Sequence, residues 1–383
     1  MNTKIWLSSP HMGGEELKYI RQAFESNQIT PFGNNIDAFE NSLENYLSQN
    51  QGNAISVAAL SSGTAAIHLG LVVLGIKAGD EVLVQSHTHI ASVNPVLYLG
   101  AIPIFIDSEG ETFNICPVIL EEAIKDRIIK GKKPKAIIAV HLYGNPYKVD
   151  EVAAVAKKYG IPILEDSAEA LGSKYKGKYC GTFGDVGVLS FNGNKIITTS
   201  GGGVLITNTK SQKEKVIFLS TQARDNAPYY QHSELGYNYR MSNICAAIGR
   251  GQMEVLEEHI KLRRDVHEFY VRLFSKIPAV RVFSVPDEDS FSNYWLTVIV
   301  IDFSQTGGKT AEDLRFFLEN KNIESRHFWK PMHLQPLYQE FDYYGGTVCE
   351  VLFMSGLCLP SGSNLTEEDK NHIEISLHLF FNL

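Results

Sequence analysis

Between Gly63 and Val204 the chain alternates short apolar, β-rich runs with segments long enough to be helices. The runs are EVLVQ (81–85), IPIFID (102–107), AIIAVHLYG (136–144), IPILED (161–166), VGVLSF (186–191) and GGGVLIT (201–207). They lack the polar alternation of a strand with one wet face, so the sheet they form must be covered on both sides. Parallel strands need crossovers, and the intervening helices supply both the crossovers and the covers. The expected core is therefore α/β with a mostly parallel sheet. In VDEVAAVAKKYG (149–160), Asp150 is placed to cap a helix with Val152, Val155 and Ala156 on its apolar face, and Gly160 is placed to end it.

Beyond residue 250 the pattern changes. MEVLEEHIKLRRDVHEFYVRLFSKI (253–277) carries Val255, Leu256, Ile260, Leu262, Val266, Tyr270 and Leu273 at helical spacing, which predicts one long connecting helix. NYWLTVIVID, AEDLRFFLENKNIESRHFW and DKNHIEISLHLFFNL follow, and they predict a smaller α+β domain with a closing helix. The expected division is a large domain over 1–250 and a small one over 251–383. A chain of 383 residues, 44% hydrophobic, is long enough for two cores sharing one site.

A formal charge of -8 without a basic run excludes a nucleic-acid partner. No apolar run approaches the roughly 18 residues of a membrane span, and the N-terminus lacks a signal segment, so a soluble cytoplasmic protein is expected. Five cysteines without a CxxC pair read as reduced thiols. His87 and His89 have no acidic ligand at suitable spacing, so no metal is expected. FNGNKIITTSGGG lacks the phosphate-loop spacing GxxxxGK[ST], and GTFGDVG is not GxGxxG.

Three features remain. SSGTAAIHLGL (61–71) leads small hydroxyl residues into a helix, which makes either an anion site or a simple N-cap. Asp166 ends an apolar strand, where a parallel sheet presents residues to a ligand crevice, although an aspartate there also serves as a helix cap. Lys195 stands in LSFNGNKIITTSGGG, among small polar residues and glycines. Together they supply what pyridoxal 5'-phosphate requires: an amine for its aldehyde, a carboxylate for its ring nitrogen, and donors for its phosphate.

The segments SSGTAAIHL, HLYGNPYKVDEV, LEDSAEALGSKYKGKYCGTFGDVGVLSFNGNKIITTSGGG, GYNYRMSNICAAIG and RHFWKPMHLQPLY resemble the DegT/DnrJ/EryC1/StrS sugar aminotransferases over nearly the full chain. The resemblance implies a fold type I, aspartate aminotransferase-like enzyme using pyridoxal 5'-phosphate, with pyridoxamine 5'-phosphate as its aminated form. It implies that Lys195 bonds the cofactor and moves the proton, that Asp166 pairs with the pyridinium, and that Glu169 neighbours the 3-hydroxyl. Gly63, Thr64 and Ser190 would bind the phosphate. His89 would stack on the ring where relatives commonly have an aromatic residue. Asn238 would reach the phosphate of a neighbouring subunit, implying a homodimer with shared sites.

For the substrate, Ile29, Thr30 and Pro31 match the family, while Gln28 stands where relatives often carry tryptophan. Trp329, Lys330 and His333 would meet the sugar or diphosphate, Trp329 reading equally well as part of a buried aromatic cluster. SPHMGGEELKYI, STQARDN and the lysine loop resemble enzymes that aminate UDP-4-keto-6-deoxy-N-acetylglucosamine, of the bacillosamine and legionaminic acid type. L-glutamate would be the donor and 2-oxoglutarate the product. Relatives that dehydrate at C3 carry histidine in place of the lysine, so Lys195 argues for transamination. A GDP- or dTDP-linked sugar, a 3-keto sugar or scyllo-inosose would fit the same loop, and a cofactor-free binding protein is the reading outside enzymes.

Overall fold

The apolar runs become strands because both of their faces are buried by helices. The computed structural model describes residues 4–49 and 55–382. Its first nine strands are β1 (Ser56–Leu60), β2 (Glu81–Gln85), β3 (Ile102–Ile106), β4 (Ala136–Val140), β5 (Ile163–Asp166), β6 (Lys174–Tyr175), β7 (Lys178–Tyr179), β8 (Val186–Ser190) and β9 (Gly203–Thr207). After them come β10 (Val280–Val282), β11 (Ser290–Phe291), β12 (Thr297–Ile301), β13 (Arg326–His327), β14 (Tyr343–Tyr344) and β15 (Gly356–Leu359). The large sheet has the order β1-β9-β8-β5-β4-β2-β3-β14. β2, β3, β4, β5 and β8 are parallel, and β9 runs against both of its neighbours.

The helices of the first half are α1 (Glu16–Glu25), α2 (Asn34–Leu47), α3 (Gly63–Val73), α4 (Asn94–Tyr98), α5 (Pro117–Ile129), α6 (Val149–Tyr159) and α7 (Lys210–Ser220). Alternate strand residues serve opposite covers. Val82, Val84, Leu164 and Leu205 pack with Ile67, Leu69 and Leu71 of α3, whereas Leu83, Ile137 and Ile163 pack with Leu120 and Ile124 of α5 and Val152 of α6. Asp150 does not cap α6. Lys148 holds the N-cap position, and Asp150 lies in the first turn, where its carboxylate favours the helix dipole and pairs with Lys176 at 2.6 Å. Gly160 ends the helix in the left-handed conformation, φ 58°.

The predicted long connector is two helices, α8 (Asn243–Glu254) and α9 (Leu256–Phe274). Val255 leaves helical geometry at φ −113°, ψ 7°, its side chain lying against Gly13 of the N-terminal segment. α10 (Ala311–Asn320), α11 (Val348–Ser355) and α12 (Glu367–Phe381) complete the chain. Thr310 with Asp313 and Thr366 with Asp369 form capping boxes that start α10 and α12. β10-β12-β15-β13 form a second, antiparallel sheet, packed with Tyr270, Leu314, Ile373 and Leu377. The two halves exchange segments: Ile5 bridges to Ile323 and joins the core of the second sheet, while β14 pairs with β3 at the edge of the first.

Candidate active site

Asp166 and Ser190 end parallel strands at the carboxyl edge of the large sheet, and α3 begins beside them. A cavity of about 320 Å³ opens there. Gly63, Thr64, His89, Asp166, Glu169, Ser190, Lys195, Trp295 and Trp329 are among its lining residues. This is the crevice at which a parallel sheet presents its strand ends to a ligand.

α3 starts at Ser62, whose hydroxyl accepts the Ala65 N–H at 3.0 Å while its carbonyl accepts that of Ala66. The Gly63 and Thr64 N–H groups have no acceptor within the helix, and both residues line the cavity. N-capping and an anion-binding terminus therefore coexist here. The glycines after Lys195 are required by contact more than by mobility. A Cβ on Gly203 would lie 2.4 Å from the Gly63 nitrogen and the Ser62 carbonyl carbon, and one on Gly202 would lie 2.2 Å from the Thr199 hydroxyl.

Asp166 accepts the Ser92 hydroxyl at 2.7 Å on one oxygen and the Ala168 N–H at 3.1 Å on the other. Because the single Ser92 proton goes to Asp166, Thr88 is the donor in the 2.8 Å contact with Ser92. Glu169 accepts the Tyr143 N–H at 2.7 Å and the Lys195 ammonium at 3.3 Å. Burial holds the Glu169 carboxyl above its ordinary pKa, against the opposing pull of Lys195. Lys195 also lies over the Trp295 ring, 4.0 Å from its centroid.

His89 caps a short 3₁₀ turn, its Nδ1 accepting the Ala91 N–H at 3.2 Å, which leaves the ring proton on Nε2. Burial, reinforced by Lys195 and opposed by Asp166, lowers its pKa, so the imidazole is neutral at pH 7. Trp329 meets it edge-on at 5.0 Å.

The remaining candidates lie outside this cavity. His333 is held between the Ser86 hydroxyl at 2.7 Å and Glu350 at 3.2 Å, face to face with Tyr343 at 3.8 Å. Ile29, Thr30 and Pro31 form the turn before α2; the Thr30 carbonyl accepts the Asn243 N–H, and Asn243 Nδ2 donates to the Gln28 carbonyl. Asn238 is exposed, and Lys330 is not among the lining residues. Sequence reasoning missed Thr88, Ser92, Tyr143 and Trp295. Thr88 and Ser92 flank His89 in THIAS, but Trp295 is a hundred residues from Lys195 and has no local signal. Among the described residues no group of three His, Cys, Asp or Glu side chains is arranged to hold a metal ion, and no helix is long and apolar enough to cross a membrane.

A phosphorylated pyridine aldehyde has the groups that complement this lining. Lys195 offers an amine that could bond an aldehyde, Asp166 a carboxylate that could pair with a protonated ring nitrogen, and the α3 terminus with Thr64 and Ser190 a set of donors that could hold a phosphate. The residues fit the cofactor, and fold and site together define a pyridoxal phosphate-dependent aminotransferase of fold type I.

A family model described as the DegT/DnrJ/EryC1/StrS aminotransferase family matches residues 10–377, and the chain belongs to that family. It is 47% identical over 99% of its length to EpsN of Bacillus subtilis (strain 168), named as a pyridoxal phosphate-dependent aminotransferase, 97% of which is covered. It is 38% identical to the GDP-perosamine synthase of Escherichia coli O157:H7, with 97% of each chain covered. The crystal structure of a DegT DnrJ EryC1 StrS aminotransferase from Brucella abortus superposes with a TM-score of 0.88 at 28% identity, covering 96% of both chains. The protein is a sugar aminotransferase that uses pyridoxal 5'-phosphate.

Proposed function

We propose that the chain moves an amino group from L-glutamate to a nucleotide-linked 4-keto-6-deoxy sugar in the cytoplasm, with UDP-4-keto-6-deoxy-N-acetylglucosamine as the substrate. The observation that carries the reaction class is the placement of the Lys195 amine 3.3 Å from Glu169 in one cavity with Asp166 and the α3 terminus. The cofactor, when bound, supplies an aldehyde that carries the amino group and a ring that withdraws electrons from the carbon losing a proton. This chain's residues do the rest. The Gly63 and Thr64 N–H groups with the Thr64 and Ser190 hydroxyls would hold the phosphate, and Asp166, fixed by Ser92 and Ala168, would keep the ring nitrogen protonated. His89, an uncharged imidazole with Trp329 against its edge, would stack on the cofactor ring. Lys195 Nζ would take the proton from Cα of L-glutamate and deliver it to the cofactor's aldehyde carbon, and in the sugar half-reaction would move a proton from that carbon to the sugar carbon that receives nitrogen, with Glu169 beside the ammonium during each transfer.

The UDP-linked substrate is supported by the N-terminal and STQARDN segments. A GDP-linked sugar is the second reading, supported by the relative named GDP-perosamine synthase. Trp329 and Lys330 would meet the sugar. Asn238, with Ile29, Thr30 and Pro31, would serve a partner's site in a homodimer. Exposed Trp6, Phe24, Phe32, Tyr229 and Tyr230 offer such a dimer apolar surface. Residues 251–383 are assigned to a small domain and 1–250 to the cofactor domain.

The test is an absorption spectrum of the cofactor-loaded protein, followed through addition of L-glutamate and then of each keto sugar in separate samples. The visible band should fall with glutamate and return with the UDP sugar. Return with the GDP sugar alone would transfer the assignment to the second reading, and no response to glutamate would overturn the amino donor.

A further inference from the structure

The segment Ser292–Trp295, between β11 and β12, comes from the second half of the chain yet holds both groups that flank the proposed proton path. Asn293 is fully buried, and its amide donates to the carbonyls of Glu169 at 3.0 Å and Leu171 at 2.9 Å. Its side-chain oxygen accepts the Trp295 N–H at 2.8 Å, and its own N–H donates to Ser173. Ser292 donates to the Gly144 carbonyl, beside the Tyr143 N–H that bonds Glu169. Tyr294 takes φ 45°, an uncommon conformation for a bulky residue, while its ring stacks on His267 at 3.6 Å. A strained residue between two anchored neighbours aims the next side chain, and that side chain is Trp295.

Trp295 makes two contacts with the lysine loop. Its indole N–H donates to the carbonyl of Asn194 at 2.7 Å, one residue before Lys195, and its ring face lies 4.0 Å from Lys195 Nζ. The same Asn194 carbonyl accepts the Ser8 hydroxyl at 2.8 Å. Arg263 secures the arrangement from behind, donating to the Trp295 carbonyl at 2.6 Å, the Ser361 carbonyl at 3.1 Å and the Ser8 hydroxyl at 2.9 Å. A lysine side chain has four rotatable bonds and many poses; an ammonium drawn to an aromatic face and a carboxylate has few.

We propose that Trp295 is a positioning residue for proton transfer: its ring and N–H hold the Lys195 amine beside Glu169, at the place from which it takes the Cα proton. This rests on the assignment of Lys195 as the proton carrier. Trp295 need touch neither the sugar nor the nucleotide, so its effect falls on the chemical step and not on substrate affinity.

The experiment follows the glutamate half-reaction of the cofactor-loaded protein in single turnovers, with L-glutamate and with L-glutamate deuterated at Cα. Trp295→Met removes ring and donor while filling space, and Trp295→Phe keeps a ring without the N–H. Trp295→Met should slow the half-reaction about tenfold or more, leave glutamate affinity within about twofold and raise the deuterium isotope effect. Trp295→Phe should fall between Met and the parent. A purely structural role would reduce the reacting fraction without moving the isotope effect, because that ratio is independent of how much protein is active. An unchanged isotope effect in Trp295→Met, or identical behaviour of the two variants, would overturn the proposal. If Trp295→Met does not fold, Trp295→Phe decides alone, an unchanged isotope effect counting against. Lys195→Ala run in parallel separates the two levels: a surviving half-reaction there refutes the Lys195 assignment itself, whatever Trp295 does.

Discussion

Asp166 and Glu169 stand three residues apart and face one cavity, yet the fold treats them differently. Asp166 accepts a hydroxyl and an N–H, whereas Glu169 accepts the Tyr143 N–H and the Lys195 ammonium, with burial pushing its carboxyl up. The different partners suit the two different tasks proposed for these carboxylates. Asp166→Ala, which strands the Ser92 hydroxyl, should lower turnover about a hundredfold or more while phosphate contacts still retain cofactor; turnover and cofactor content measured on one sample check this. His89 differs from a phenyl ring in charge capacity more than in charge. Since burial and Lys195 lower its pKa, it is a flat neutral ring at pH 7. His89→Phe should keep turnover within about threefold at pH 7, losing about 1 kcal/mol of stability from the missing cap to Ala91. A pH–rate profile from 6 to 8 should be the same shape in both proteins, and a limb that vanishes in the variant would show the imidazole titrating in function.

At the scale of elements, the first turn of α3 depends on how closely β9 approaches it. Gly203→Ala places a methyl against the backbone of Ser62 and Gly63, so the turn must shift. Gly201→Ala meets nothing within 4 Å. Cofactor affinity should fall more than about tenfold in the first and stay unchanged in the second, with thermal unfolding of the first about 5 °C or more lower. Equilibrium cofactor binding and a melting curve on both variants decide it. The same pair explains what was legible. Apolar runs announce strands because burial on both faces leaves a local mark; Asp166 and Thr64 stand out by being polar at a strand end and a helix start, and Lys195 by standing among small polar residues and glycines. The role of Gly203 leaves no such mark, since the atoms it must avoid are 140 residues away in the chain. Nor does the break at Val255, where the apolar spacing runs on unchanged through two helices and Gly13 packs against the bend from the N-terminal segment.

Over the whole molecule, segments on the two sides of residue 250 pack into one another. Ile5 and Tyr343–Tyr344 each pair with strands or loops of the other half, and Trp295 joins the lysine loop from the second half. Contacts of that range carry no periodicity in the sequence. The integrated packing has a consequence for acid stability. His87, His259 and His267 are all buried, and burial lowers their pKa values to about 4, about 4 and about 3. An unfolded histidine takes up a proton near pH 6.5, so between that value and about 4 the unfolded chain binds more protons than the folded one, and stability falls as pH falls. Glu16, Asp107 and Glu324, whose folded pKa values are lowered, hold their contribution above the ordinary carboxylate range and lose it only on further acidification. Glu169, raised, works in the opposite direction, since its folded form favours the proton. The melting temperature should therefore drop between pH 6.5 and 4.5, before most carboxylates titrate. His267→Phe keeps a ring against Tyr294, 3.6 Å away, and removes one titrating site. Its melting temperature should depend less steeply on pH across that window than the parent's, measured side by side in one buffer series so that cofactor effects cancel. Parallel curves would mean that His267 is protonated as readily in the folded protein as in the unfolded chain.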